Sequence, residues 1–180
     1  MRSVAAAIIL AGFVLVGAAN QVQPTAGLRL EVPFVPQVKQ GCGSAAIAMV
    51  LLWWKQHGFA AKPASVDAAT IHREVYEEKE QGTTARDVSR YFEQRGFRSF
   101  GFSGTWAELV EHLEKGRPLI AAIRPPGQRQ MHYVVVSGIG TDRILLHDPA
   151  VGAYRAVSRE GFEKQWAASD RFTLLAVPRQ

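Results

Sequence analysis

The chain has one cysteine, Cys42, set between Gly41 and Gly43 where an extended stretch, Val32-Pro33-Phe34-Val35-Pro36-Gln37, gives way to small and aliphatic residues from Ser44 to Leu52. A loop passing into such a run marks a helix start, so Cys42 is expected at a helix N-terminus. Unpaired amides and aligned peptide dipoles there favour negative charge, and a thiol so placed can fall to a pKa of roughly 3.5 to 7.5. The chemistry on offer is a thiolate nucleophile. A lone cysteine is otherwise a small buried hydrophobe, so the reactive reading needs partners elsewhere in the chain.

Those partners are a base, a group that orients the base, and donors for an oxyanion. Five histidines compete for the first role. His57 lies at the far end of the same expected helix, some ~22 Å from the sulfur at 1.5 Å per residue. His72 and His112 fall in amphipathic helical segments and read as solvated faces. His132 stands at the start of an apolar strand, just after the loop Pro125-Pro126-Gly127-Gln128-Arg129-Gln130, where a polar ring can reach a cleft. His147 also sits in a strand, beside Asp148, and could face a cleft too.

If the turn Gly140-Thr141-Asp142 is centred on Thr141, Asp148 falls opposite Val134, one diagonal step of about 7 to 8 Å from His132 on the same face. A slip of one residue would replace Asp148 on that face by His147. For the oxyanion, Gln37 and Gln40 both precede Cys42, and either amide could donate. One such donor is worth on the order of 10²- to 10³-fold in rate.

The elements that must position these groups are legible in outline. The Cys42 helix has no polar stripe and is expected in the core, ending near His57-Gly58. Ser65 is read as opening a second helix with Asp67 in its first turn, and Thr83-Thr84 as preceding a third that ends at Gly96. Phe97 to Phe102 alternates like a strand, and Thr105 with Glu108 forms a capping-box pattern at the head of a helix running to Lys115-Gly116. Beyond Arg117 come runs rich in branched residues: Pro118–Ile123, His132–Ile139, Arg143–Asp148, Tyr154–Val157 and Phe172–Val177, with a helix around Gly161–Ala168. Helices first and an antiparallel sheet afterwards is an α+β pattern.

The segments Val32 to Gln37, Gly41-Cys42-Gly43-Ser44-Ala45-Ala46-Ile47-Ala48-Met49-Val50, His132-Tyr133-Val134-Val135-Val136 and His147-Asp148-Pro149 together resemble the C39 cysteine peptidases. That family includes the N-terminal proteases of bacteriocin exporters, which cleave leader peptides after a double glycine. The resemblance implies a papain-like fold, in which an N-terminal helical part with a buried, nucleophile-bearing helix packs on a C-terminal antiparallel sheet. It implies Cys42 as nucleophile, His132 as base and then acid, Asp148 as its orienter and Gln37 as oxyanion donor, with no cofactor and no metal. Gln37 is five residues before Cys42 where the exporter proteases have six, Ser44 stands where proline is frequent, and Gly41 where an acidic residue is usual. No transporter domain follows, so the stand-alone, exported form is the one expected. The same residues would serve a thiol amidase or acyltransferase acting on cell-wall material, and a catalytically silent peptide-binding domain is the third reading.

At 180 residues and 47% hydrophobic, the chain has material for one proper core. Its net charge of +5 is scattered rather than gathered into a stripe with aromatics, which argues against nucleic acid as a partner. Met1-Arg2, the apolar run Ala5 to Val16 and Gly17-Ala18-Ala19 read as a signal peptide over residues 1–19, followed by a tether over 20–28 and the peptidase domain over 29–180. The uncharged run is shorter than the ~20 residues of a comfortable span, which favours cleavage over an uncleaved anchor. The expected partners are a peptide or protein substrate and a secretion system or exported peptide, with the domain acting as a monomer in the periplasm or outside the cell.

Overall fold

The computed structural model describes residues 27–59 and 66–179. The signal segment and Ser65 lie outside the described residues. In order, the elements are β1 (Leu28–Arg29), α1 (Cys42–Gln56), α2 (Ala68–Val75), α3 (Ala85–Glu93), β2 (Phe97–Ser103), α4 (Trp106–Glu114), β3 (Leu119–Ile123), β4 (His132–Ile139), β5 (Arg143–Asp148), β6 (Gly152–Ser158), α5 (Arg159–Ala167) and β7 (Phe172–Pro178).

Helix α1 is the spine. Its face-independent apolarity has the consequence expected of it: every residue from Gly43 to Leu51 is buried, and so is Trp53. It packs on α2 and on β4, which lies in the middle of the sheet. The far end is pinned by two indoles, with Trp53 Nε1 donating to the Gly116 carbonyl at 3.0 Å and Trp54 Nε1 to that of Ala176 at 3.0 Å. These contacts fix the helix at its tail, so its head is held in a set position over the sheet.

The sheet has the order β2-β7-β3-β4-β5-β6, with β1 on β4, and every pairing is antiparallel. Strand β3 is buried along its whole length and β4 from Tyr133 onward, because α1 and α4 cover one side and α5 packs on β3. Helix starts follow local side-chain chemistry. Thr84, Thr105 and Ser158 each accept a backbone N–H as caps, and Thr105 with Glu108 completes the expected capping box. The second helix departs from expectation. Asp67 is its N-cap, accepting from Thr70 N, rather than a first-turn residue, because a carboxylate in extended backbone satisfies an otherwise unpaired amide.

The β4–β5 hairpin decides the site. Near its turn, Ile139 faces Ile144 and Gly138 faces Leu145, a register centred between Thr141 and Asp142 and not on Thr141. Carried outward, that register would put Asp148 opposite Val135, on the wrong face for His132. A bulge between Val136 and Gly138 absorbs Ser137, so that Val136 faces Leu146 and Val135 faces His147. One step further, Asp148 lies opposite Val134. Gly138 makes room for the bulge: a Cβ there would lie 2.8 Å from the Leu28 carbonyl oxygen and 2.9 Å from Leu145 Cδ1.

Candidate active site

Cys42 is the first residue of α1, with Gly41 at the N-cap and no carboxylate in the first turn. The His132 ring and the backbone N–H groups of Tyr133 and Gly43 lie close enough to its sulfur to stabilise the thiolate. The absence of a side chain at Gly43 lets Thr83 close over the head of the helix; a Cβ would sit 2.7 Å from Thr83 Cβ. Burial pushes the thiol up, but the His132 hydrogen bond, the two backbone donors and the imidazole's charge outweigh it, and the thiol lies below its ordinary value.

His132 is the first residue of β4 and partly buried. Its Nε2 donates to Asp148 Oδ1 at 2.7 Å, which leaves Nδ1 as the nitrogen for the sulfur. Burial alone would lower this imidazole. The Asp148 carboxylate and the Cys42 sulfur, both bonded to it, raise it instead to about 9. Sulfur and ring thus shift in opposite directions, which is what a thiolate–imidazolium pair requires.

Asp148 ends β5 with its side chain only 5% exposed. Besides His132 it accepts from Ala150 N at 3.1 Å through Oδ1 and from Arg155 Nη1 at 2.5 Å through Oδ2. Burial pushes its carboxyl up, yet these donors hold it below the usual carboxylate range. Arg155 is a residue that motif reading passes over. The available signal was the strand period: β6 pairs Arg155 with Leu146, which shares a face with Asp148, so the guanidinium lies one diagonal step from the carboxylate.

Gln37 and Gln40 part company. Gln37 N donates to the Pro149 carbonyl at 3.0 Å, which fixes this segment against the end of β5, and its side chain lines the cleft that His132 and Asp148 also line. Gln40 is exposed, in left-handed backbone at φ 57°, and its Oε1 accepts from the Tyr76 hydroxyl at 2.9 Å. The cleft has a volume of about 630 Å³. A second cavity of about 440 Å³, lined by Trp54, Arg98 and Arg117, lies toward the other end of α1 and holds none of these groups.

The other histidines are set aside by position. His57 caps α1 at its far end, with Nδ1 2.8 Å from the Trp53 carbonyl. His72 and His112 are half-buried, against the expectation of solvated faces: His72 lies on Tyr76 and His112 near Phe102, because each flanks the buried stripe of its helix. His147 is fully buried on the opposite face of β5 from Asp148. Its Nε2 donates to the Val32 carbonyl at 2.8 Å and its Nδ1 accepts from Tyr154 N at 3.0 Å, so it tethers the segment leading to Gln37 onto the hairpin.

That tether makes a testable contribution to stability. Replacing His147 with leucine strands one buried carbonyl and one N–H, and is expected to cost about 2 to 4 kcal/mol. Burial depresses the folded-state pKa of this ring below its unfolded value, with the nearby Arg29 charge adding to the effect. A group so shifted contributes stability above an unfolded pKa of about 6.5 and loses it as pH falls through the folded value. Urea midpoints of wild type and His147→Leu are therefore expected to converge as pH drops below 6.5; a gap constant with pH would remove His147 as the titrating tether.

The model of the Peptidase_C39 like family matches residues 29–173. Over 135 residues the chain is 36% identical to the lactococcin-G-processing and transport ATP-binding protein LagD of Lactococcus lactis subsp. lactis, covering 72% of this chain and 17% of LagD. Over 126 residues it is 30% identical to the probable functional amyloid protease FapD of Pseudomonas aeruginosa, covering 69% of this chain and 52% of FapD. The chain thus spans about half or less of the length of these relatives. The peptidase domain of Streptococcus ComA, a bi-functional ABC transporter involved in a quorum sensing pathway, superposes with a TM-score of 0.63 at 25% identity, over 81% of this chain and 98% of that domain. The α+β, papain-like arrangement expected from the sequence is the one this domain shares. With the family match running from β1 into β7, the chain belongs to the Peptidase_C39 like family.

Proposed function

We propose that the chain is a cysteine peptidase, a hydrolase in which the Cys42 thiolate attacks a peptide carbonyl. The observation that carries this reading is the His132 ring, held by Asp148 through Nε2 at 2.7 Å with the Cys42 thiol beside it. In the first half-reaction the imidazolium gives its proton to the leaving amine. In the second, the neutral ring takes a proton from water, which releases the acyl group from sulfur. Asp148 holds the tautomer and the orientation, and Arg155 keeps Asp148 charged. Gln37 is the oxyanion donor: it lines the cleft with His132, and among the described residues no hydrogen bond takes up its amide nitrogen.

LagD is described as processing lactococcin G and FapD as a functional amyloid protease. A peptide or protein bound for export is the substrate class that these relatives support for this chain, with a secretion apparatus as partner and cleavage after a Gly-Gly leader as one specificity to test. The apolar N-terminal run supports an exported location, in the periplasm or outside the cell.

The reaction requires thiolate and imidazolium together. Cleavage of a peptide library under reducing conditions is expected to rise as the thiol ionises and to fall near pH 9, where the imidazolium loses its proton. Activity that persists undiminished well above that pH would remove His132 as the acid. Hydrolysis of cell-wall fragments with no cleavage of peptides would move the same residues to the amidase reading.

A further inference from the structure

Three large apolar side chains stand exposed among the described residues, and two of them, Met131 at 49% and Val151 at 67%, line the cleft beside His132; the third, Phe100, lies on the edge strand β2. Exposed apolar groups gathered in one cleft mark a binding surface. Ile123, Pro125 and Pro126 extend the same wall. Three of its polar members are turned to internal work: Arg155 holds Asp148, Gln165 Nε2 donates to the Gly161 carbonyl at 3.0 Å, and Gln130 Nε2 to Gln81 Oε1 at 3.4 Å. What the wall offers a ligand is an apolar strip, Met131, Val151, Ile123 and the two prolines, set among polar groups.

The chemistry says which part of a substrate meets it. The amine that leaves the substrate's carbonyl carbon as the acyl group passes to Cys42 must come within hydrogen-bond distance of the ring that protonates it. His132 belongs to this wall, so the chain on the amine side of the cleaved bond runs across it. We propose that the cleft formed by Met131, Val151 and the Pro125-Pro126 turn is a specificity pocket for an apolar side chain just after the cleaved bond. The proposal rests on the peptidase reading, and adds to it the class of residue the product's new N-terminus carries.

The test uses the full chain and two parallel peptide sets that differ only at the first two positions after the bond, read by mass spectrometry. Leucine, methionine or phenylalanine there is expected to raise kcat/KM about 10- to 100-fold over aspartate, lysine or serine, the range that apolar pockets deliver. The double variant Met131→Ser, Val151→Ser should reduce the ratio of kcat/KM for the apolar set to that for the polar set to about threefold or less, the scale of a contact worth under 1 kcal/mol. Both positions are exposed, so the fold is preserved. Cleavage without preference, a preference for acidic residues drawn by Arg155, or a preference that survives the double variant would each overturn the pocket and leave the peptidase reading standing. Absence of any cleavage, with a correctly folded chain, would remove both.

Discussion

Cys42→Ala is expected to lower peptide hydrolysis by at least about 10⁵-fold, the scale seen when a covalent nucleophile is removed from a preorganised site. The loss is chemical because alanine suits this position. It is a strong helix former, smaller than cysteine, at the first residue of α1. Far-ultraviolet dichroism and the urea midpoint should therefore stay close to wild type while the rate collapses. Incubating both proteins with the same peptide library under reducing conditions makes the comparison direct. Equal cleavage by the two would take Cys42 out of the mechanism altogether.

The second large effect belongs to the imidazole. His132→Ala is expected to reduce kcat/KM by about 10³- to 10⁴-fold, the upper part of what general acid–base catalysis contributes. It carries a signature that mere damage to the cleft would not produce. With the ring gone, the sulfur keeps the Tyr133 and Gly43 N–H groups but loses its largest stabilising partner, while burial still opposes ionisation. The midpoint of iodoacetamide labelling against pH should therefore move up, toward or beyond the roughly 8.5 of an unactivated thiol. A variant that loses activity with its labelling midpoint unchanged would show that the ring does not activate Cys42.

The two variants also separate the roles of helix and sheet. The head of α1 brings the sulfur and one backbone donor; β4 brings the ring and the other donor. Neither half contains a working pair, and the indole tethers at the tail of α1 keep them in register. Arg155 extends the arrangement to β6. Its charge lies on the far side of Asp148 from His132, so the carboxylate remains an anion without being neutralised by the ring alone.

Much of this was readable from the residues in a row. The Gly41-Cys42-Gly43 step into an apolar run placed the thiol at the head of a buried helix, and the capping box at Thr105 and the strands His132–Ile139 and Arg143–Asp148 stand where their patterns put them. Such features come from interactions between near neighbours: a cap and the amides three residues on, or side chains alternating along one strand. The pairing of His132 with Asp148 was expected too, but on a premise that the hairpin does not obey. The turn is not centred on Thr141, and the outcome stands only because the bulge at Ser137 restores the register. A bulge leaves no periodic trace, since one extra residue flips every side chain beyond it to the other face. The structural use of His147, the clasp of Arg155 on Asp148 and the separation of Gln37 from Gln40 are of the same kind. Each depends on which strands and loops lie side by side, and contacts between segments far apart in the chain are set by packing and register, which the order of residues along one segment does not encode.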